Sequence, residues 1–343
     1  MKILQVGPNS VHVTRFINAF DSNESISNFL LTDSPNLEAK VTQQFVVNAH
    51  TFNPIKIIGL LKIIQTIVHQ VKPTVIHIHQ VNRLAFFTAL VAKWRKIPVV
   101  TTAWGSDVLI MPSKNKLYHY LVKKTLQRSA VISADAQDMI RAMQLLVPTG
   151  QFVCIQYGIT PIEPTNKKEV IYSNRLHKPL YNIDKIISLF ADFHTQHPPW
   201  HLVIGGSGSE TEKLKNQTKL LGLTEFIKFV GWLNEEENRL HYAESSIYVS
   251  IPASDGTSVS LLEAMSANCI PVVSDLPANK EWISDNTNGI IVQEVGENPF
   301  KKALLLNQEI AFATNQQLIN QKATRNASIV QFLSIYQTLV NGE

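Results

Sequence analysis

Short runs of consecutive apolar residues alternate along this chain with longer stretches in which apolar positions recur every three or four residues. The short runs predict buried strands, and the helical period predicts helices packed on them. In the first half the strands fall at Lys2 to Val6, Ile26 to Leu31, Thr74 to His79, Val99 to Ala103, Ala130 to Ser133 and Gln151 to Ile155, with helices at 11–20, 54–71, 82–96, 114–128 and 135–146. In the second half they fall at Glu169 to Ser173, His201 to Ile204, Ile227 to Val230, Ile247 to Ile251, Ile270 to Val273 and Gly289 to Val292, with helices at 182–196, 210–221, 235–243, 258–267, 298–312 and 325–340. Between the halves, Pro161 to Lys168 is polar and aperiodic, as a linker is.

Strands alternating with helices are the grammar of βαβ units and parallel sheets. The pattern therefore predicts an α/β protein of two doubly wound domains, 1–160 and 161–324. Ligands in such sheets bind at the carboxyl ends of the strands, so a central cleft faced by both domains is the expected site.

Length and composition agree with this picture: 343 residues exceed the size at which one core keeps growing, and 45% hydrophobic with 17% charged residues is a globular composition. Cys154 and Cys269 each lie in an apolar run, as buried thiols do, which excludes a disulfide framework and a cysteine metal site. The start, MKILQVGPNS, passes from one lysine into a strand without the apolar core of a signal peptide, so a cytoplasmic location is expected. The greasiest segment, Ile55 to Val71, is interrupted by Lys56, Lys62 and His69, so no membrane span is predicted.

Charge changes the picture when divided. Residues 1–157 carry 16 Lys and Arg against 7 Asp and Glu, a net +9, whereas the remainder carries net −5. The basic half is expected to meet an acceptor or an anionic surface, including the inner face of a membrane.

The most informative stretch is Ser254-Asp-Gly-Thr-Ser-Val-Ser-Leu-Leu-Glu-Ala-Met. A strand ends before it, Asp255 and Gly256 turn, and Thr257 and Ser258 open a helix. Helix N-terminal amides and the positive end of the dipole suit a diphosphate, and a glycine lets the backbone approach it. Glu263, about two turns into the helix, suits a ribose diol. A capped helix with a solvated glutamate reads the same way locally.

The segment resembles the paired-acid motif of the retaining family 4 glycosyltransferases, with two acids eight positions apart, the second opening Glu-Ala-Met, and a strand after it. In that family the first acid is usually glutamate; here it is Asp255. The resemblance extends over most of the chain and implies the GT-B arrangement of two Rossmann-like domains. It further implies that Asp255 faces the donor sugar, that the amides of Gly256, Thr257, Ser258, Val259 and Ser260 hold a diphosphate, and that Glu263 holds the ribose. Glu281 and the Asn288-Gly289 turn also fit the pattern.

Ser173-Asn-Arg175 follows a strand end where the family places an arginine against the departing diphosphate, a role that suits a bidentate, permanently charged guanidinium. The family's lysine five residues later is Leu180 here, with Lys178 as a substitute in the same loop. Gly205-Gly-Ser-Gly208 follows another strand, and its amides, Gly206 among them, are expected in the anion pocket. The third glycine of a dinucleotide fingerprint is missing, Thr211 standing in its place. Gly231 and Trp232 end a strand where the family binds the base, although Trp232 also reads as core.

In the first half Ile76-His-Ile-His79 and Trp104-Gly-Ser-Asp107 resemble the family's histidine-rich strand end and Gly-Ser-Asp loop. Of His77 and His79 only one is expected to reach the site, His79. With Asp107, and with Asn9 and His12 from the loop after the first strand, it makes the acceptor side; Trp104 stands where some relatives carry histidine.

No Asp-x-Asp pair or Cys/His cluster suggests a metal, so neither metal nor cofactor is expected and the nucleoside-diphosphate sugar is itself the donor substrate. The acceptor implied by the family is a saccharide, often lipid-linked, in surface polysaccharide or glycolipid assembly.

Two helices bear on membrane contact. That at 54–71 has a wide apolar face, which suits a buried helix, with Lys56, Gly59, Lys62, Thr66 and His69 along one side. That at 114–128 carries Lys114, Lys116, Lys123, Lys124 and Arg128 among Tyr118, Tyr120 and Leu121, a pattern shared by solvated basic helices and lipid-facing ones. Competing readings are a sugar-nucleotide epimerase of the same fold and a basic membrane- or RNA-binding module; no aromatic RNA-binding motif accompanies the charge, so nucleic acid is not expected. The closing helix, 325–343, is expected to cross back onto the first domain.

Overall fold

The computed structural model describes every residue except 22, 52, 294, 295 and 343. Two compact units emerge: Met1–Tyr157 with Arg325–Glu343, and Gly158–Thr324.

In the first unit the order is β1 (Lys2–Val6), α1 (Val11–Asn18), β2 (Ser27–Thr32), β3 (Gln43–Val46), α2 (Pro54–Val71), β4 (Val75–His79), α3 (Arg83–Arg95), β5 (Val99–Thr102), α4 (Ser106–Leu109), α5 (Met111–Lys114), α6 (Lys116–Leu126), β6 (Val131–Ala134), α7 (Gln137–Leu146) and β7 (Phe152–Cys154). All pairs are parallel, in the order β3-β2-β1-β4-β5-β6-β7. The second unit contains β8 (Lys168–Ser173), α8 (Ile183–His194), β9 (His201–Gly205), α9 (Thr211–Leu220), β10 (Ile227–Gly231), α10 (Glu235–Glu244), β11 (Ser245–Ser250), α11 (Val259–Ser266), β12 (Ile270–Ser274), α12 (Pro277–Lys280), β13 (Ile290–Val292), α13 (Pro299–Leu305) and α14 (Gln308–Lys322). Its sheet, also parallel, runs β10-β9-β8-β11-β12-β13. The closing helix α15 (Arg325–Asn341) belongs to the first unit, where Phe332 and Tyr336 pack with Ile3, Phe16, Val75 and Val100.

Both sheets are doubly wound, and strand order reverses between β1 and β4 and between β8 and β11. These reversals are where the loops above neighbouring strands diverge and leave room for a ligand.

The structure departs from the periodicity in identifiable places. β3 escapes detection because its burial alternates weakly at a sheet edge. The predicted helix 114–128 begins at Lys116, preceded by two short turns of helix, because Asn115 caps it by accepting from the Tyr118 amide. The predicted helix 298–312 is two helices, broken where Asn307 caps α14 through the Ile310 amide. α2 reaches the length and hydropathy of a marginal membrane span despite its lysines, yet Leu60, Ile64, Ile67, Val68 and Val71 are buried in the unit's core.

Candidate functional site

Arg175 lies in the loop that follows β8, and the Asp255 loop follows β11, so the strand reversal of the second unit brings them together. The guanidinium Nη2 lies 2.6 Å from Asp255 Oδ2, and Nη1 donates to Ser258 Oγ. Its plane covers the Tyr181 ring at 4.7 Å. Burial opposes the charge on Arg175, but Asp255 and the surrounding phenol groups outweigh it and raise the pKa, so the cation is fixed.

Ser258 caps α11 by position, yet no bond runs from its side chain to the helix; the hydroxyl serves Arg175 instead. The first amides of a helix have no partner within it, and here their positive end stands beside the guanidinium. Gly256 N–H donates to Asp255 Oδ1 at 3.1 Å, and Thr257 Oγ1 accepts from the Trp282 indole at 3.3 Å. Val259 and Ser260 form the first turn, and Glu263 is 9% exposed on the same helix. Its negative charge adds to burial in pushing the Tyr242 and Tyr172 phenols up.

Beneath Arg175 lies a network that the sequence did not disclose. Asn174 donates to the Tyr242 hydroxyl (2.7 Å) and to Asn238 (3.0 Å), accepts from Tyr248 (3.2 Å), and Tyr172 donates to Asn238 (2.6 Å). Tyr172 and Tyr248 are partners across β8 and β11. The available signal was their strand positions: a buried phenol needs a hydrogen-bond partner, which Tyr248 finds in Asn174 of the Arg175 loop and Tyr172 in Asn238 of α10.

The glycine-rich loop plays a different part from that expected. The Gly206 amide donates to Gly231 O at 2.6 Å and the Gly208 amide to Thr211 Oγ1 at 3.0 Å, so both are spent within the chain. Gly206 has φ +100°, and a Cβ there would stand 2.5 Å from Arg175 O; at Gly208 it would stand 2.4 Å from His177 O. These glycines let two loops touch, and so place Arg175 rather than bind an anion themselves. His177 N–H donates to Ser207 O and its Nδ1 meets Thr211 Oγ1 at 2.9 Å, closing the same seam.

Gly231, at φ +73°, ends β10 beside an exposed Trp232, which is therefore not core. Lys178 is exposed in the Arg175 loop. Glu281 follows α12 and is half-buried. Asn288 is buried and bonds Trp282 O, Asn315 and the Ser284 amide, while a Cβ on Gly289 would meet Pro271 O at 2.8 Å; that turn is a close contact with β12.

In the first unit His77 and His79 are both buried, their rings stacked at 4.2 Å. The two side chains share one face of the sheet, because residues two apart on a strand do, so the strand period does not separate His79 from His77 as expected. A polar ladder crosses that face: Asn28 accepts from Gln5, Gln5 Oε1 meets His79 Nε2 (2.8 Å), His77 meets Thr102 (2.7 Å) and Tyr336 of α15, and Thr102 meets Ser133 (2.6 Å). His79 Nδ1 is buried with no partner. Burial lowers both imidazoles, His79 to about 3, and the neighbouring ring lowers His77 further.

Asp107 is buried and accepts from the Val81 (2.7 Å) and Trp104 (3.0 Å) amides; burial nonetheless raises its pKa. Its carboxylate thus ties the loops after β4 and β5 together. Trp104 packs edge-on to His12 (5.5 Å), which in turn meets Tyr157 (5.7 Å). Asn9 is exposed and bonds Pro35 O (2.7 Å), with its amide on Asp33. Among the described residues no group of three or more His, Cys, Asp or Glu is arranged to hold a metal.

Two family models account for nearly the whole chain: glycosyl transferases group 1 over residues 160–322 and glycosyl transferase 4-like over residues 2–136. The chain belongs to the group 1, family 4-like glycosyltransferases. A UDP-N-acetylglucosamine–peptide N-acetylglucosaminyltransferase subunit, GtfA, of Streptococcus gordonii is 26% identical over 171 residues, 50% of this chain and 32% of that protein. The GDP-mannose:cellobiosyl-diphosphopolyprenol alpha-mannosyltransferase of Komagataeibacter xylinus is 21% identical over 156 residues, 43% of this chain and 39% of that one. The chain spans about half or less of the length of the curated relatives it matches first. Among solved structures, Anabaena HepE in complex with UDP and glucose superposes with a TM-score of 0.82 at 14% identity, covering 98% of this chain and 100% of HepE. The two-domain, Rossmann-like GT-B fold of the family is therefore shared.

Proposed function

We propose that this glycosyltransferase moves a sugar, with retention of anomeric configuration, from a nucleoside diphosphate to a saccharide acceptor carried on a lipid. The observation that carries the reading is the joint placement of Arg175, Asp255, Ser258 and Glu263 around the start of α11. Asp255 and Ser258 engage two of the five guanidinium donors, and the others suit the oxygens of a leaving diphosphate. With the first amides of α11 they would stabilise the charge that develops as the glycosidic bond breaks.

In this reading Asp255 orients the donor sugar, Glu263 grips the ribose and exposed Trp232 gives the base a stacking surface. Attack comes from the same face as departure, guided by the leaving phosphate, and the acceptor is held by the first unit near His12, His79 and Asp107. Lys178 adds a second cation to the diphosphate. The UDP and glucose in HepE and the polyprenol-linked acceptor named for the Komagataeibacter relative support these substrate classes.

A thermal-shift screen of UDP- and GDP-sugars in EDTA tests the reading. A ligand at a hundred times its dissociation constant adds about 2.7 kcal/mol, a readily visible shift. The expected result is a shift in the wild type that Arg175→Ala and Glu263→Ala both lose, and NMR of the product should show the donor's anomeric configuration. No shift with any nucleotide, or a product altered at C2 of the sugar, would overturn it.

A further inference from the structure

The first unit carries a surface that the donor site does not use. From residue 39 to residue 134 the chain has 13 Lys and Arg and a single acid, Asp107, which is buried. Three helices in this stretch, α2, α3 and α6, contain no acid, and α3 packs between the other two.

The helix at 114–128, with the denser lysine pattern, is not where that charge is best presented. Arg128 lies over the Phe86 ring at 5.0 Å, and Lys124 lies over Tyr120 and bonds Gln127. α2 is different. Its buried stripe leaves Ile55 80%, Ile58 56% and Ile63 50% exposed, with Lys56 and Lys62 exposed between them. At 100° per residue all five fall within one arc, opposite the core stripe. A Cβ on Gly59, in the middle of that arc, would meet nothing within 4 Å, and a groove of about 430 Å³ runs between this face and Val46–Thr51.

Three exposed isoleucines within about two and a half turns of helix are costly against water and out of place on a purely electrostatic RNA site. They fit the interfacial layer of a bilayer, where the apolar side chains enter the acyl boundary and lysine ammonium groups extend to the headgroups. We propose that α2 is a membrane-docking helix that lies flat on an anionic phospholipid surface, with the basic field of α3 and α6 holding the unit against it. This placement does not depend on the donor site.

Flotation with phosphatidylcholine vesicles, with and without phosphatidylglycerol, tests it directly. The wild type should bind only the anionic vesicles, and moderate salt should weaken the binding without abolishing it. Lys56→Glu with Lys62→Glu should reduce partitioning by about fivefold or more per lysine. Ile55→Gln with Ile58→Gln should release the protein even at low salt, while melting temperature and UDP-sugar shifts stay at wild-type values because both side chains point to solvent. Failure of the wild type to float, or floating that the isoleucine pair leaves unchanged, overturns the proposal. Competition by single-stranded RNA in that second case would identify a nucleic-acid surface instead.

Discussion

The Arg175 guanidinium and the Asp255 carboxylate, 80 residues apart in sequence, meet at 2.6 Å with side-chain exposures of only 13% and 22%. The contact joins the loops above β8 and β11, the two strands at which the sheet order reverses. A pair this enclosed has consequences for stability as well as for chemistry.

Removing one partner strands the other. Arg175→Ala should destabilise the protein by roughly 1–3 kcal/mol, because Asp255 loses its charged donor in a mostly enclosed site. Adding Asp255→Ala should recover part of that loss, a non-additivity that urea unfolding of the double-mutant cycle measures.

The same arginine should dominate the rate. Arg175→Ala should lower turnover by about 10²–10³ through lost stabilisation of the diphosphate. Arg175→Lys should restore little, since an ammonium cannot span Asp255, Ser258 and a phosphate together. Initial rates with saturating donor check both.

Gly206 should tolerate no side chain. Gly206→Ala combines φ +100° with a Cβ 2.5 Å from Arg175 O, so a cost of about 1–3 kcal/mol and loss of activity are expected. Gly222→Ala is the control: φ is +70° but the space is open, so strain of about 1 kcal/mol should leave activity intact. Denaturant midpoints and rates for the two variants separate the effects.

Glu263→Gln should weaken nucleoside diphosphate binding by about 10- to 100-fold, the scale of a charged hydrogen bond. The free sugar-phosphate portion of the donor should be bound as in the wild type. Calorimetric titration with UDP and with a sugar phosphate distinguishes the two.

The buried histidines set a pH dependence. The folded pKa of His79 is about 3, below the ordinary value of 6.5, so the unfolded chain binds the extra proton first. Stability from this group is complete above about pH 6.5 and falls as pH drops toward 3, by roughly 3 kcal/mol at pH 4. His77, lowered for the same reason, adds in the same direction. Replacement His79→Asn should flatten the slope of unfolding free energy between pH 7 and pH 4.

Sequence patterns resolve best where one local rule governs. The span Pro54–Val71 was legible to the residue because Asn53 caps it, proline fits its first turn and its period is unbroken. The Asp255–Glu263 segment was legible because turn, cap and helix are contiguous. The shared face of His77 and His79 was equally legible, since a strand period of two puts residues two apart on the same side. The Gly205–Gly208 loop was different: its sequence matches an anion-binding loop, and only its neighbour, the backbone of Arg175–His177, decides that its glycines serve contact.

By itself the sequence determined the two alternating strand-and-helix blocks, the basic first half and the spacing of the two acids on α11, since each depends on residues near one another in the chain. Tertiary structure decided that Arg175 meets Asp255, that Tyr172, Asn174, Tyr242 and Tyr248 support it, and which side of α2 faces solvent. Those relations join residues tens of positions apart, and strand order, which no local pattern encodes, brings them together.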